Sequence, residues 1–371
     1  MATTGPIGLA ARVIGGAIEL PINAIKYTAA EPTVTGSLLF ALTRAPIEYR
    51  QRLLNLLHNS GLSAGHIERL IKTLRYLLII GVLKRVNQAL NRLALNNWSL
   101  RKLGAPFDFD GSRKTELVVV TGGCSGFGYE MVKAFSKHAK VVIIDISPVP
   151  AELKKLPGVY YYQLDVTDFA AIESTAETIR REHGDPTVLI NNAGIANGTY
   201  IMDSTAKGID RIFKVNIASH FILIKEFLPG MLKAKKGHIV TIASMASFVA
   251  GPGLVDYCCT KVAALYLNDG LRNELITKYP NGNCIQTTSV HPSWHSTGIV
   301  KPYEDKLASI GIRTDPASNV SSAVVEQVLA ARSGRIFMPR SEEAKTGVRG
   351  WPVWLQDTVF SIQTRIFGSV F

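Results

Sequence analysis

Two short segments of this chain contain residues whose types and spacing could do chemistry. Tyr257 and Lys261 are four residues apart, which places a phenol and an amine on one face of a helix. A glycine-rich turn, Thr121-Gly-Gly-Cys-Ser-Gly-Phe-Gly128, directly follows the apolar run 117–120. A strand that enters a helix through such a turn leaves backbone N–H groups free to bind a pyrophosphate. Together the two segments predict a nicotinamide dinucleotide and proton transfer at a substrate hydroxyl or carbonyl.

The phenol of Tyr257 needs help to act as a base near neutral pH, because an unperturbed tyrosine has a pKa of about 10. The ammonium of Lys261 and a nicotinamide cation would both lower that pKa. Ser244 lies 13 residues before Tyr257 and could hold the substrate oxygen by a hydrogen bond. The alternative for the Tyr257 and Lys261 pair is an ordinary surface helix with a buried tyrosine and a solvated lysine.

The choice of cofactor depends on Asp145, which ends the predicted strand 141–144. An acid at this place accepts hydrogen bonds from the adenosine ribose hydroxyls and repels a 2′-phosphate. Ser125, inside the glycine turn, brings no positive charge to such a phosphate. The sequence therefore favours NAD(H) over NADP(H). The alternatives are a plain tight turn at 121–128 and an Asp145 that caps a turn before Ser147.

Apolar strands alternate with amphipathic helices along the rest of this region. Strands are predicted at 159–164, 187–190, 238–242, 284–290 and 335–338, and helices at 127–137, 168–183, 207–228, 256–278 and 316–332. This alternation predicts an α/β fold with a doubly wound parallel sheet, the Rossmann architecture, whose ligand crevice lies beyond the carboxyl ends of the strands. Thr121, Asp145, Asp165, the segment 191–194 and Ser244 all follow strand ends.

Several ordered motifs make the region 116–340 resemble the short-chain dehydrogenase/reductase family. They are the turn 121–128, Leu164-Asp165-Val166, Asn191-Asn192-Ala193-Gly194, Asn216 in Lys214-Val215-Asn216-Ile217, the set Ser244, Tyr257 and Lys261, and the segment 291–297 from His291 to Thr297. Ser293 stands in that last segment where the family usually has glycine.

The resemblance implies roles for these residues. Asn216, Ser244, Tyr257 and Lys261 would be catalytic, with Asn216 holding a proton-relay water and Lys261 the nicotinamide ribose. Contacts to the cofactor would come from Thr121, Gly122, Cys124, Ser125, Gly126, Phe127, Gly128, Asp145, Asp165, Val166, Asn192, Ala193, Gly194, Tyr257, Lys261, Pro292 and Thr297. His295, in the following loop, is expected to be solvent-exposed, and the alternative is a contact with the substrate.

Three regions are predicted: a helical extension at 1–112, the dehydrogenase domain at 113–340 and an apolar tail at 341–371. The extension contains 13 Lys and Arg against 6 Asp and Glu, a net +7 of the chain's formal +12. A helical apolar stripe that includes Ile67, Leu74 and Leu78 predicts a basic amphipathic helix at a membrane interface. The alternative is a helical cap on the catalytic domain. Arg12 and Glu19 interrupt the first apolar stretch, which argues against a signal peptide.

The tail contains Trp351, Trp354 and several more apolar side chains. Paired tryptophans suit the headgroup level of a membrane, and the alternatives are a lid over an apolar substrate and a dimer contact. The four cysteines show neither a disulfide framework nor a metal-binding spacing, so no metal is predicted. No motif supports nucleic-acid binding despite the basic charge, and anionic lipid is the better partner.

An extended N-terminal segment before the catalytic domain resembles the membrane-associated branch of the family, which includes retinol and 17β-hydroxysteroid dehydrogenases of the endoplasmic reticulum and lipid droplets. This resemblance implies an NAD-dependent dehydrogenase on the cytoplasmic face of such a membrane that acts on a retinoid, steroid or long-chain lipid alcohol. The resemblance to the short-chain dehydrogenase/reductase family as a whole implies a homodimer through the helices at 207–228 and 256–278. Two alternatives stay open: an NADPH-dependent ketoreductase, and a non-catalytic protein of lipid surfaces.

Overall fold

The computed structural model describes residues 31–110 and 114–367. The predicted interruptions at Arg12 and Glu19 and the last four apolar-tail residues lie outside the described residues. The chain divides into two compact units, Met1–Ala94 and Leu95–Phe371. The second unit therefore begins before residue 113, where the sequence suggests the start of the catalytic domain.

The first unit is helical. Its helices are α1 (Pro32–Thr43), α2 (Ile47–Asn59) and α3 (Ala64–Leu95). Ile67, Leu74 and Gly81 are buried on α3, and their spacing of seven residues places them on one face of the helix. Gly36 of α1 lies against Leu78, because a Cβ at Gly36 would be 3.6 Å from the Leu78 side chain. The predicted apolar stripe of α3 thus contributes to packing within this unit.

The opposite side of α3 is also apolar. We call Tyr76, Ile79, Ile80, Leu83 and Val86 the outer face of α3; each is between 49% and 69% exposed. No helix among residues 31–110 and 114–367 combines the length and apolarity needed to cross a bilayer.

The second unit is built on a parallel sheet of seven strands in the order β3-β2-β1-β4-β5-β6-β9. The strands are β1 (Leu117–Thr121), β2 (Lys140–Asp145), β3 (Val159–Gln163), β4 (Val188–Asn191), β5 (Gly237–Ile242), β6 (Ile285–Pro292) and β9 (Gly334–Met338). A second, two-stranded sheet joins β7 (His295–Ser296) to β8 (Asp315–Pro316).

Helices cover both faces of the large sheet, as the Rossmann prediction requires. The helices of this unit are α4 (Gly126–Phe135), α5 (Ala151–Lys154), α6 (Phe169–His183), α7 (Ala206–Phe213), α8 (Ser219–Ala234), α9 (Val255–Thr277), α10 (Glu304–Ser309), α11 (Ala317–Leu329) and α12 (Val353–Phe367). Because both faces are buried, β1, β4, β5 and β6 are nearly continuous runs of buried residues rather than alternating ones. The predicted fold class is confirmed.

The predicted helix 207–228 differs from the observed structure in two ways. A π-helical segment at Lys214–Ala218 separates α7 from α8, and α8 continues past Pro229 to Ala234. Proline removes one backbone donor from a helix, but Phe227, Leu228 and Met231 around it are all buried in the core. Their packing holds the helix together where sequence alone predicts an end.

The flanks of the second unit pack on its sheet. Phe107 and Phe109 stack with ring centroids 5.4 Å apart, and Phe109 belongs to the core beneath α4 and α11. At the other end, Arg349 donates to the carbonyl oxygen of Phe248 at 2.7 Å, shortly before α12 begins. The exposed Trp354 and Val353 at the start of α12 leave the predicted tail apolar toward solvent.

Candidate active site

The strand order brings the predicted site residues to one edge of the sheet. Thr121, Asp145 and Pro292 end β1, β2 and β6, while Asn192 and Ser244 follow the ends of β4 and β5 within two residues. All these strands are parallel, so their carboxyl ends face the same crevice.

The glycine turn is shaped by close backbone approach. Gly122 has φ +65°, and a Cβ there would lie 2.9 Å from the Cα of Ala193. At Gly128, a Cβ would lie 2.1 Å from the carbonyl oxygen of Gly122. Side chains at these two positions would therefore force the turn apart. Gly126 has φ +52° and faces Thr297, whose Cγ2 would be 3.5 Å from a Cβ at Gly126.

Asp145 organises the turn through both carboxylate oxygens. Oδ2 accepts from the backbone N–H of Cys124 at 2.8 Å, and Oδ1 accepts from that of Ser147 at 2.9 Å. The contact with Ser147 is the turn cap that was the alternative role predicted for Asp145. Asp145 is also the last residue of β2, so the cap does not exclude a place in the cofactor crevice. Burial, with the charge of Asp145 adding to it, raises the pKa of the Cys124 thiol to about 12. Ser125 is exposed at the N-terminus of α4.

The segment 192–194 clamps β1 to β4. Thr121 Oγ1 accepts from the backbone N–H groups of Asn192 and Ala193, both at 3.0 Å. Asn192 Nδ2 donates to the carbonyl oxygens of Thr121 and Gly122, at 2.8 and 3.1 Å. Gly194 lies close to the catalytic candidates, because a Cβ there would be 3.6 Å from both Asn216 Oδ1 and Lys261 Nζ.

Asp165 and Val166 lie after β3. Asp165 accepts from the backbone N–H of Thr167 at 2.9 Å and is half-buried, whereas Val166 belongs to the buried core. The carboxylate of Asp165 therefore shapes the turn into α6.

Asn216 is completely buried in the π-helical segment. Its Oδ1 accepts from the backbone N–H of Ile195, and its Nδ2 donates to Ile195 O, each at 2.9 Å. Nδ2 also donates to Thr260 Oγ1 at 3.0 Å. Single π-helical turns occur frequently at functional sites, and this one turns the Asn216 amide toward α9.

Ser244, Tyr257 and Lys261 come together at the end of β5. Lys261 donates to the carbonyl oxygen of Ile242 at 2.8 Å, and its Nζ lies 5.5 Å from the ring centroid of Tyr257. Burial raises the pKa of Tyr257 to about 12, although a hydrogen bond with Ser244 lowers it in part. Burial also lowers the pKa of Lys261 to about 8. The sequence predicts that the Lys261 ammonium lowers the pKa of Tyr257. In the chain without cofactor, burial has the larger effect, and the pKa is raised.

The segment after β6 also reaches this edge. Ser244 Oγ donates to Pro292 O at 3.3 Å, and Ser293 donates its backbone N–H to Met338 O at 2.8 Å. The expectation for His295 is wrong: it is 1% exposed, and its ring meets that of Phe127 edge-on at 5.7 Å. The pairing of β7 with β8 fixes the backbone of His295 and keeps its side chain buried. Strands of only two residues leave no recognisable pattern in the sequence, so this burial could not be predicted.

Sequence reasoning missed three polar residues that support the site. Thr260 donates to the carbonyl oxygen of Tyr257 at 2.7 Å, besides accepting from Asn216. Asn197 donates to Asp256 Oδ2 at 2.7 Å, and Asp256 Oδ1 accepts from the backbone N–H of Tyr257, also at 2.7 Å. Their position next to Tyr257 in the sequence was the available signal for Asp256 and Thr260.

The family profile described as short chain dehydrogenase matches residues 116–308, more than half of the chain. The chain belongs to the short-chain dehydrogenase family. The resemblance predicted from the motifs is thereby confirmed, and the chain is an oxidoreductase of this family.

Two curated relatives are named as dehydrogenases. "Dehydrogenase RED3" of Cochliobolus heterostrophus is 48% identical over 131 residues, which cover 35% of this chain and 66% of the relative. "Estradiol 17-beta-dehydrogenase 11" of Homo sapiens is 32% identical over 233 residues, 61% of this chain and 75% of the relative. The predicted likeness to the hydroxysteroid dehydrogenase branch is thus confirmed at the level of sequence.

Solved structures agree on the fold. A short chain dehydrogenase/reductase from Burkholderia phymatum in complex with NAD superposes with a TM-score of 0.58 and 23% identity, covering 68% of this chain and 97% of that one. At this level of identity the likeness establishes the Rossmann architecture of this short-chain dehydrogenase.

Proposed function

We propose that this short-chain dehydrogenase transfers a hydride between NAD(H) and a hydrophobic alcohol or ketone. The observation that carries the proposal is the convergence of Ser244, Tyr257, Lys261 and the Asn216 amide beside the glycine turn, at the carboxyl edge of one sheet. An acid–base group, a hydrogen-bond donor and a dinucleotide-binding turn are the parts that such a reaction needs.

The residues at this edge fit a nicotinamide dinucleotide. Gly122 and Gly128 leave the backbone bare where a Cβ would collide with neighbouring backbone atoms, and the N-terminus of α4 follows directly. Asp145 would hold the adenosine ribose, and no Lys or Arg lies within the turn 121–128 to balance a 2′-phosphate. NAD(H) is therefore the proposed cofactor; when bound, its nicotinamide accepts or supplies the hydride.

The chain's own contribution is the proton. Tyr257, whose pKa burial holds at about 12, is protonated at neutral pH and is set to donate to a forming alkoxide. In the opposite direction, only the ionised form of Tyr257 can accept the proton of the substrate hydroxyl, and positive charge close to the phenolate favours that ionised form. Ser244 would hold the substrate oxygen, since it already hydrogen-bonds the phenol in the free chain.

Two loops and the tail supply apolar surface for a hydrophobic substrate. Gly198, with φ +67°, lies directly against Tyr303, which brings the loop after β4 to the segment before α10. Ile201 and Met202, in the first of these loops, are 68% and 93% exposed. The bond from Arg349 to Phe248 ties the start of the tail close to Ser244. These apolar groups support a retinoid, steroid or long-chain lipid alcohol, and they support the tail as a lid.

We propose that the first unit attaches the enzyme to the surface of the endoplasmic reticulum or a lipid droplet. The outer face of α3 is apolar and exposed, and Arg69, Lys72 and Arg75 lie at its amino-terminal end. Apolar side chains beside basic ones suit the interface of an anionic membrane. A homodimer through α8 and α9 is part of the proposal, supported by the exposed Phe221 and Tyr266.

The test is a fluorescence titration of the purified full chain with NADH and with NADPH. Wild-type protein is expected to bind NADH more tightly, and the double variant Asp145→Ala with Ser125→Arg is expected to reverse the preference. Asp269→Ala is the matched control, because its carboxylate pairs with Arg335 at the surface. Tighter binding of NADPH by the wild type would favour the ketoreductase, and binding of neither cofactor would favour a non-catalytic lipid-surface protein.

A further inference from the structure

Behind Lys261, two neighbouring strands place polar side chains in the core. Asn191 of β4 and Thr241 of β5 are register partners, and they are 0% and 1% exposed. Across the described residues, neither the amide atoms of Asn191 nor the hydroxyl of Thr241 has a hydrogen-bond partner. Leaving such groups unpaired away from water lowers the stability of the fold.

Both side chains face the side of the sheet that α8 covers. Strand side chains alternate between faces, and Leu189 and Ile239, two residues earlier on each strand, pack in the same cluster as Leu223 and Phe227 of α8. Asn191 and Thr241 therefore point toward α8 near the carboxyl edge of the sheet.

His220 approaches this place from α8. It lies four residues after Asn216 and three before Leu223, so its side chain is on the core face of the helix. Helix α8 begins at the carboxyl edge, because it follows β4 and leads back into β5. Ile217, just before it, packs with Ala243 and Ala264 at the same level.

His220 itself is 1% exposed, and neither ring nitrogen has a partner in the part of the chain that the structure describes. Burial lowers its pKa to about 3, and the positive charge of Lys261 contributes in the same direction. The ring is therefore neutral at physiological pH and offers one donor and one acceptor. Lys261, which donates one N–H to Ile242, has two more to donate.

Buried water is the ligand that suits this chemistry. A buried water makes two to four hydrogen bonds and occupies sites lined by otherwise unpaired polar groups. An amide, a hydroxyl and a neutral imidazole supply both donors and acceptors, without the charge that an ion would require. Asn191, Thr241 and the neutral His220 include neither a carboxylate to bind a cation nor a charged basic group to bind an anion.

We propose that Asn191, Thr241 and His220 form an internal water-binding site behind Lys261, and that His220 is a positioning residue that acts on Lys261 through the bound water. The effect on turnover rests on the proposed dehydrogenase function, whereas the water site itself does not. In the reaction, this water accepts a hydrogen bond from the Lys261 ammonium. The hydrogen bond holds the ammonium in position beside the Tyr257 phenol.

The first arm of the test needs no activity. A high-resolution crystal structure of the full chain is expected to contain ordered water within hydrogen-bond distance of His220 and of Asn191 or Thr241. His220→Phe is expected to remove that water. Direct pairing of the three side chains, or a dry space between them, would overturn the proposal.

The second arm measures turnover with NAD and a long-chain alcohol. His220→Phe is expected to lower kcat by about 10-fold to 100-fold and to raise the solvent isotope effect on kcat, with KM and the NADH dissociation constant unchanged. His220→Gln, which keeps a donor and an acceptor, is expected to recover most of the rate. It also tests the proposal if the phenylalanine variant does not fold.

The control is His238→Phe. His238 is also fully buried with one unpartnered nitrogen, but it bonds Thr288 on the opposite face of the sheet. It is expected to lose stability without a change in the isotope effect. Equal kinetics for the two phenylalanine variants would reduce His220 to a packing residue. An inactive wild type would refute the proposed function and leave the crystallographic result to decide the water site.

Discussion

Asn216 and Tyr257 are joined through one side chain, that of Thr260. Asn216 Nδ2 donates to Thr260 Oγ1 at 3.0 Å, and Thr260 donates to the carbonyl oxygen of Tyr257 at 2.7 Å. The π-helical segment and α9 are thus fixed to each other at the residue proposed to transfer the proton. The position of the phenol depends on a buried polar network, and its chemistry can be tested without disturbing that network.

Tyr257→Phe removes only the phenol oxygen and keeps the ring and the bond from Thr260. We expect kcat to fall by about 100-fold to 10,000-fold, the usual contribution of a general acid or base, while NADH binding stays within a factor of about two. Steady-state kinetics and fluorescence titration measure the two quantities. Tyr266→Phe, on the exposed side of the same helix, should behave like the wild type. A Tyr257→Phe variant with wild-type kcat would exclude this residue from the proton step.

Two glycine-to-alanine substitutions should differ in their consequences: one should weaken NADH binding and the other should stabilise the fold. Gly128→Ala places a Cβ 2.1 Å from Gly122 O, so we expect the turn to open and NADH affinity to fall by at least about 10-fold. Gly270→Ala, in the middle of α9, meets no atom within 4 Å and should raise the free energy of unfolding by up to about 1 kcal/mol. Thermal unfolding and NADH titration of both variants check the pair. Unchanged cofactor binding by Gly128→Ala would mean that the turn is not the pyrophosphate site.

Acid should destabilise the fold from pH 6.5 downward. Burial lowers the pKa of His220 and His238 to about 3 and that of His291 to about 4, from an unfolded value of 6.5. Below pH 6.5 the unfolded chain therefore binds more protons than the folded one, and stability falls with falling pH by about 1.4 kcal/mol per unit for each such group. Urea unfolding between pH 7.5 and 4.5 measures this slope.

The same experiment on His238→Gln isolates one group. For this variant, the unfolding free energy should fall less steeply with falling pH than for the wild type. The difference in slope should be about 1.4 kcal/mol per pH unit, the contribution of one histidine. An identical slope in the two proteins would show that His238 keeps an ordinary pKa in the fold.

Membrane binding should depend on the outer face of α3. Replacing Ile79 and Leu83, 56% and 63% exposed, by serine removes apolar surface that would enter the interface, so we expect vesicle affinity to fall by at least about 10-fold. Co-sedimentation with vesicles that contain phosphatidylserine, and with neutral vesicles, measures the change. Leu100→Ser is the control for loss of an exposed apolar side chain elsewhere, because Leu100 is 80% exposed. Equal sedimentation of all three proteins would place membrane contact outside α3.

The sheet and its crevice follow from the sequence because each core strand is a short, continuous apolar run and the glycine turn is local. Strand bounds such as Val188–Asn191 and Gly237–Ile242 agree with the predicted ones within a residue. Features that depend on contacts between distant segments could not be predicted from the sequence. The continuation of α8 past Pro229, the burial of His295 and the raised pKa of Tyr257 all arise from packing between segments far apart in the chain.

The candidate residues at strand ends could be named in advance, because a parallel sheet collects those ends at one edge. The residues that support them could not. Asn197 reaches Asp256 across 59 positions, and the π-helical segment that orients Asn216 has no sequence signature in the pattern of apolar residues.

The carboxylate of Asp145 also limits how this enzyme could change over evolutionary time. It anchors the backbone at Cys124 and Ser147 in addition to the role proposed for it toward the ribose. A lineage that exchanged this acid for a neutral residue to accept a phosphorylated cofactor would lose both backbone anchors at once. Such a switch therefore lowers the stability of the turn unless a second substitution restores the two backbone hydrogen bonds, so cofactor preference at this position is constrained by the needs of folding as well as by the reaction.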